Sequence, residues 1–401
     1  MRIGMILDNE FTGDLRVENE VIALQNAGHD VFVLCFNYGD KLDFEEFSGA
    51  KIIRFKISKN FKNKLRFLNN TIFDIYSLLW SIKIKNFAQS YAIKVLHTHD
   101  LYMAKSVIRA NRKLKLNTVL DLHENYPATL ASYTWTKSIL GRLLVSPKRW
   151  IAKEEKYFSK FSKIILLSEH FKNALIWKYP SLTNKFYVYP NYPSVKKLLD
   201  FPIDDKILNK KKDFIIFYFG GIAERRGIFT LLETLRILLR KSKDFKVLLI
   251  GPVDKADKYK FEVYLSEKEL KDHIIYFAWK DIKWLPSYIH ISDVCVSPLI
   301  KNDQHESGIA NKVFQYMLFE KPLIVSNCFP QQELVEQENC GLVFESENSN
   351  DFAEKIKILY ENENLRKEIG INAKRAVFKK YNTEISSKNL IKMYSELKGI
   401  Q

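Results

Sequence analysis

The 401-residue sequence has little that would staple, anchor or metallate it. Its four cysteines, Cys35, Cys295, Cys328 and Cys340, stand far apart, so neither a disulfide framework nor a zinc pattern can be built from them, and a reducing cytosol suits them. The longest apolar stretch, Ile75 to Ile84, is short of the roughly 20 residues that cross a bilayer, and no membrane span is expected. Met1 to Leu7 lacks the basic start and small-residue cleavage site of a secretory signal, so the chain is expected to begin at Met1. Gly4 and Gly13 form no dinucleotide fingerprint, which argues against NAD. Acid is scarce as well: 47 Asp+Glu face 63 Lys+Arg, a formal net charge of +16. Such a field favours nucleic acid or an anionic membrane surface. No zinc finger, recognition module or aromatic RNA motif accompanies it, so nucleic acid is not an expected partner.

What is present is an alternation of strand and helix signals along nearly the whole chain, the pattern of parallel sheets covered by helices on both faces. Arg2 to Leu7 reads as a strand, Val17, Val21 and Leu24 recur at helical spacing up to Gly28, and His29 to Phe36 returns as a strand. Further strands are expected at Val95-Leu96, Thr118 to Leu122, Lys163 to Leu167 and Phe186 to Val188. Pro190, Pro193, Pro202 and the run Lys210 to Lys212 break the pattern like a linker. A second alternation follows, with strands at Phe214 to Phe219, Lys246 to Ile250, Ile274 to Phe277, Val294 to Ser297, Leu323 to Val325 and Leu342 to Phe344. The division expected is a Rossmann-like domain over 1–192, a linker over 193–212, a second Rossmann-like domain over 213–375, and a C-terminal helix over 376–401 that packs back on the first domain. Two doubly wound sheets place their ligand sites at the carboxyl ends of their strands, and two such edges facing each other make a cleft.

Three groups of residues at strand ends could carry chemistry. Gly220-Gly221-Ile222-Ala223-Glu224-Arg225-Arg226-Gly227 joins a strand to a helix, where free N–H groups, the helix dipole and two guanidinium forks suit a phosphate. Ser307-Gly308-Ile309-Ala310 opens a second helix, from whose first turns Lys312, Gln315 and Tyr316 project, with Lys312 expected to face Arg226 across the cleft. His97-Thr98-His99-Asp100 and Asp121-Leu122-His123-Glu124 close two strands of the first half. A His-x-His pair with Asp100 and Glu124 could ligate a divalent ion, but no further set of strand-end ligands completes a hydrolytic site, and no metal is expected.

Taken together these motifs resemble the retaining family 4 glycosyltransferases of the GT-B fold, formerly group 1. The resemblance runs through Asp14-Leu15-Arg16-Val17 with Glu20, Ala27-Gly28-His29-Asp30-Val31, the two histidine motifs, Leu167-Ser168-Glu169 and Tyr189-Pro190-Asn191. In the second half it continues through Gly220 to Gly227, Asn311 to Met317 and Lys321-Pro322-Leu323-Ile324-Val325-Ser326. It implies that Arg226 stands for the family's phosphate-binding lysine, that Arg225 compensates for Gly221 where many members carry an arginine, and that His123 contacts the transferred sugar. Glu306 lies near the first glutamate of the family's pair, one position further from Gln315 than usual, and Gln315 stands where the second, ribose-binding glutamate is customary. Glu320 replaces a customary glycine.

The resemblance therefore implies catalytic roles for His123, Glu306 and Arg226. It assigns donor binding to Gly13, Gly221, Arg225, Arg226, Glu306, Ser307, Gly308, Ile309, Ala310, Lys312 and Gln315, and acceptor binding to Asp14, Arg16, His99, Asp121 and Glu124. The donor is expected to be a nucleotide diphosphate sugar, UDP-linked, used without metal or other cofactor, and the acceptor a glycan or lipid-linked glycan of cell-surface polysaccharide biosynthesis. A nucleotide-sugar epimerase of the same fold and a non-catalytic basic binding protein are the alternatives. Lys51 to Arg66 and Lys137 to Lys153 mix basic residues with Phe, Leu, Ile and Trp150, so the protein is expected in the cytoplasm and peripherally on an anionic membrane face.

Overall fold

In the computed structural model, which describes residues 1–67, 69, 74–133, 136, 145–208 and 213–397, the chain separates into two compact units. Unit 1 comprises 1–190 with 386–401, and unit 2 comprises 191–385.

Unit 1 opens with β1 (Arg2–Ile6), α1 (Leu15–Asn26), β2 (Asp30–Asn37), β3 (Phe44–Phe47), β4 (Ala50–Lys56), α2 (Lys59–Phe67) and α3 (Ile75–Ser90). It continues with β5 (Val95–His99), α4 (Ala104–Leu114), β6 (Asn117–Asp121), α5 (Tyr126–Ser132), α6 (Pro147–Phe158), β7 (Lys163–Leu166), α7 (Glu169–Lys178) and β8 (Phe186–Val188). The eight-stranded sheet has the order β3-β4-β2-β1-β5-β6-β7-β8. All its pairings are parallel except β3 on β4, an antiparallel edge that sequence reading missed because Lys51 to Arg66 reads as a basic surface run. Alternate side chains of the central strands sort by face: Phe32, Leu34, Leu96 and Leu120 pack under α3, α4, α6 and α7, while Ile3, Met5, Val31, Val33 and Val119 pack under α1. The apolar run Ile75 to Ile84 lies inside α3, with Tyr76, Trp80 and Ile84 buried.

Unit 2 contains α8 (Val195–Leu199), α9 (Asp205–Leu208), β9 (Phe214–Phe219), α10 (Ile228–Leu239), β10 (Phe245–Ile250), α11 (Lys258–Ser266), β11 (Ile274–Phe277), α12 (Leu285–Ile291), β12 (Val294–Ser297) and α13 (Asn311–Leu318). It ends with β13 (Leu323–Ser326), α14 (Phe329–Glu338), β14 (Gly341–Phe344), α15 (Ser349–Glu361) and α16 (Glu363–Lys379). The six-stranded sheet is wholly parallel in the order β11-β10-β9-β12-β13-β14, so β9 and β12 are neighbours. The segment read as a linker carries α8 and α9 and belongs to unit 2, and its Lys210 to Lys212 lie outside the described residues. The expected boundary at 375 falls within α16. A last helix, α17 (Thr383–Leu397), places Leu390, Met393, Tyr394 and Leu397 in the apolar layer of unit 1 that also holds Ile3 and Val17.

Candidate functional site

In unit 1 the chemistry gathers at the carboxyl ends of β1, β5 and β6. Asp14 caps α1, its side chain accepting from the Val17 amide, and this sets Arg16 on the buried side of the first turn. Arg16 grips Asp121 with both prongs of its fork, Nε to Oδ2 at 2.9 Å and Nη2 to Oδ1 at 2.6 Å, and donates from Nη1 to the Tyr189 carbonyl at 2.8 Å. Its Nε also stands 3.2 Å from Glu20. Burial opposes ionisation of Asp121, yet Arg16 and then His123 hold its carboxyl well below the usual range. Glu20 receives the opposite treatment: burial, with Asp121 beside it, pushes its carboxyl well above the usual range.

His123 Nε2 lies 3.0 Å from Asp121 Oδ2 and 3.0 Å from His99 Nδ1. Burial works against a charged ring, but Asp100 and Asp121 outweigh it and push the imidazole up to about 9. His123 is therefore an imidazolium at neutral pH, and its Nδ1–H has no partner among the described residues. His99 and His97 are pushed down by burial and stay neutral, stacked with ring centroids 4.6 Å apart. His97 Nδ1 meets the Tyr394 hydroxyl of α17 at 2.7 Å, so the buried chain runs from the C-terminal helix to the rim of the site.

Glu20, His97, His99 and Asp121 offer ligand atoms within 4.8 Å of one another. The guanidinium of Arg16 already lies on both carboxylates, which supplies the positive charge that a metal ion would bring. The other two residues of the metal reading are engaged elsewhere: Asp100 accepts from the Tyr102 hydroxyl at 2.7 Å, and Glu124 from Thr129 Oγ1 at 2.9 Å. Gly13, at φ +96°, gives its amide to Glu18 Oε1 at 2.7 Å and has nothing within 4 Å of where a Cβ would sit.

In unit 2 a single edge carries two loops. After β9, Glu224–Arg226 form one 3-10 turn that ends on Gly227 in the left-handed region, and α10 starts there. Gly227 cannot be replaced, because a Cβ would lie 1.5 Å from the Pro298 carbonyl oxygen. After β12, His305–Ser307 form a second 3-10 turn, and the extended Gly308, Ile309 and Ala310 lead into α13. Lys312 is 8% exposed, its ammonium 3.5 Å from the centroid of the Tyr218 ring. Burial and then the charge of Arg226 push it well below the usual ammonium range. His305, pushed down to about 4 chiefly by burial, also feels Arg226, Arg225 and Lys312. Four basic groups thus crowd one place, and the Arg225 guanidinium stands 3.9 Å from the Asp254 carboxylate.

The expected position of Lys312 opposite Arg226 across a cleft is corrected: both stand in unit 2, Arg226 in the turn after β9 and Lys312 in the first turn of α13, which follows the adjacent strand β12. Glu306 is placed on the amide of Phe329, at 3.2 Å and 3.3 Å, and so caps α14. Ser307 turns back on the Asp303 carbonyl at 2.7 Å. Gln315 is buried with no side-chain hydrogen bond among the described residues. Tyr316 is fully buried and accepts from the Phe219 amide at 2.7 Å, tying α13 to the end of β9 rather than facing a ligand. Glu320 sits at φ +56°, the conformation a glycine adopts freely. Sequence reading missed Tyr218 and His305; the first sits in an unbroken apolar strand run, and the second carries no motif.

It also misplaced part of the basic surface. Lys62 and Arg66 turn inward to Asp8 at 3.5 Å each, and Arg54 and Trp150 are buried. Lys137 and the residues up to 144 lie outside the described residues.

The sequence model of Glycosyltransferase Family 4 matches residues 16–192, and that of Glycosyl transferases group 1 matches residues 200–376. A capsular polysaccharide biosynthesis glycosyltransferase, CapM of Staphylococcus aureus, is 26% identical over 58% of the chain, which spans 61% of that relative's length. An uncharacterized glycosyltransferase of Methanocaldococcus jannaschii is 27% identical over 78% of each chain. Among solved structures, sucrose-phosphate synthase from Thermosynechococcus elongatus superposes with a TM-score of 0.79 at 18% identity, covering all of both chains. Anabaena HepE in complex with UDP and glucose superposes with a TM-score of 0.73 at 14% identity, over 98% of this chain and 99% of that one.

Proposed function

The chain is a glycosyltransferase of the GT-B fold whose two halves belong to Glycosyltransferase Family 4 and to the group 1 glycosyl transferases, and from that premise we propose that it moves a sugar, with retention, from a nucleotide diphosphate donor to a hydroxyl of a glycan or lipid-linked glycan. The observation that carries this reading is the convergence of Arg225, Arg226 and Lys312 on one strand edge, where burial and then the charge of Arg226 push the Lys312 ammonium well below its usual range. A diphosphate set among them relieves that repulsion. UDP is the nucleotide favoured, since HepE, of the same fold, carries UDP with glucose.

As the bond between the anomeric carbon and the diphosphate oxygen breaks, negative charge grows on the leaving group, where preorganised cations lower the barrier without metal. The acceptor oxygen bonds to the anomeric carbon on the face the diphosphate leaves, and its proton passes to the departing phosphate oxygen. Gln315, with its amide unspent, takes the ribose hydroxyls. The backbone N–H groups from Gly308 to Ala310 and at Gly221 serve the donor, and Gly13 opens its loop to it. His123 gives its Nδ1–H to a sugar hydroxyl, while Arg16, Asp121 and His99 keep it charged and oriented, and Asp14 fixes Arg16. Glu124 is left for the acceptor, and Glu306 acts by holding its loop on α14.

CapM bears a name from capsule synthesis, which supports a cell-surface polysaccharide as the product class. Among the described residues no helix is long and apolar enough to cross a membrane, so a lipid-linked acceptor would be met from a peripheral position on the cytoplasmic face.

Arg226→Ala tests the reading: kcat/KM for transfer from a UDP-sugar is expected to drop at least about 100-fold with an unchanged urea midpoint. Near-normal turnover would remove Arg226 from the leaving-group role. Proton NMR of the product should show the donor's anomeric configuration, and inversion would overturn the retaining mechanism.

A further inference from the structure

A cavity of about 760 Å3 opens between α4 and α6 of unit 1, lined by six basic side chains, Lys105, Arg109, Arg112, Lys153, Lys156 and Lys160, and by no acid. Helical spacing puts them there. Lys105, Arg109 and Arg112 share one face of α4, and Lys153, Lys156 and Lys160 recur with the same rhythm along α6 and the turn after it. Asp74 pairs with Lys105, but Arg109, Arg112, Lys156 and Lys160 form no ion pair among the described residues. Lys153 is pushed below the usual ammonium range by burial and then by Lys105. Cations facing one another across a hollow repel, and an anion placed among them relieves that repulsion.

The cavity is separate from the site already described. Its lining includes Thr118 and Phe161, at the amino ends of β6 and β7, whereas Asp121 and His123 stand at the carboxyl edge. Its surroundings are apolar as well as basic. On the other side of α4, α3 exposes Ile75, Leu78 and Ile82 at intervals of three and four residues, and α6 exposes Ile151. Large apolar side chains next to basic ones in one helical layer are the composition of a face that lies in a membrane interface.

We propose that the α4–α6 cavity seats the phosphate of an anionic lipid headgroup and docks unit 1 on the membrane through α3, α4 and α6. This rests on the peripheral placement proposed above and names the surface and chemistry that produce it. An inorganic anion would account for the charge but not for the exposed isoleucines and leucine around it.

The test is co-sedimentation of the full chain with vesicles of phosphatidylcholine, with and without phosphatidylglycerol. Three proteins are compared: the unaltered chain, a variant with Arg109, Arg112, Lys156 and Lys160 changed to Ser, and a control with the exposed Lys241, Lys243, Lys268 and Lys271 of unit 2 changed to Ser. The unaltered chain and the control should bind phosphatidylglycerol vesicles alike, and the cavity variant about tenfold or more weakly, because each basic residue near an anionic surface adds to the affinity. Equal weakening in both variants would overturn the cavity's role and leave only a diffuse charge effect. A thermal shift with inorganic phosphate that the cavity variant loses, together with equal vesicle binding by all three proteins, would overturn it in favour of a soluble anion. Failure of the unaltered chain to bind any vesicle would sink the peripheral placement as well, while turnover on a soluble acceptor reports separately on the transferase reading.

Discussion

The two clusters at the strand ends are built on opposite electrostatic plans. In unit 1 the buried charges answer one another: Arg16 takes Asp121 in a two-pronged grip and also stands beside Glu20, and His123 receives its proton from the field of Asp100 and Asp121. In unit 2 the charges share one sign, with Arg225, Arg226 and Lys312 all raising the cost of a proton on His305. A network completed from within is rigid before any ligand arrives and suits the task of positioning. Like charges held close together repel, which makes such a cluster receptive to an anion.

Three variants and conditions would break or sharpen that contrast. Arg16→Met should have the largest effect, a loss of about 3–5 kcal/mol of stability by urea unfolding, because Asp121 is left buried without its partner. A loss below about 1 kcal/mol would show that the unit 1 network is not self-completed. Lys312→Met should leave the stability of the free protein at or above that of the unaltered chain, since it removes a buried cation that Arg226 repels. The same change should weaken UDP by about 1.5–3 kcal/mol in calorimetry. It should also abolish the proton uptake that accompanies UDP binding at mildly alkaline pH; uptake that persists would place the shifted group elsewhere. The third test concerns His123. Its folded value is raised from 6.5 to about 9, so the stability it adds is full below pH 6.5 and is lost as pH rises through 9. The change across that range should be on the order of 3 kcal/mol. Urea midpoints measured across that range should fall in the unaltered chain and stay flatter in His123→Gln.

Much of this was legible in the residues. Strands such as Phe214–Phe219 and Val294–Ser297 match their apolar runs, because a strand buried on both faces is written as an unbroken apolar stretch. The glycine-arginine turn was visible because only glycine fits against Pro298 at Gly227. The antiparallel β3–β4 edge was not, since Phe44–Phe47 is half polar and reads as loop. The direction of a basic side chain was equally hidden: Lys62 and Arg66 look like surface charge until Asp8, more than fifty positions away, is brought beneath them.

The order of apolar runs, turns and strand-end motifs was enough by itself to determine two mainly parallel α/β units and the strand-end loops that carry Arg225, Arg226 and Lys312, because periodicity and turn chemistry act over a few residues. Tertiary structure alone decided which charges meet: that Lys312 shares an edge with Arg226, that Glu306 is spent on the amide of Phe329, and that six cations face one another between α4 and α6. Coulomb forces and burial depend on distance through space, and only the folded chain sets those distances.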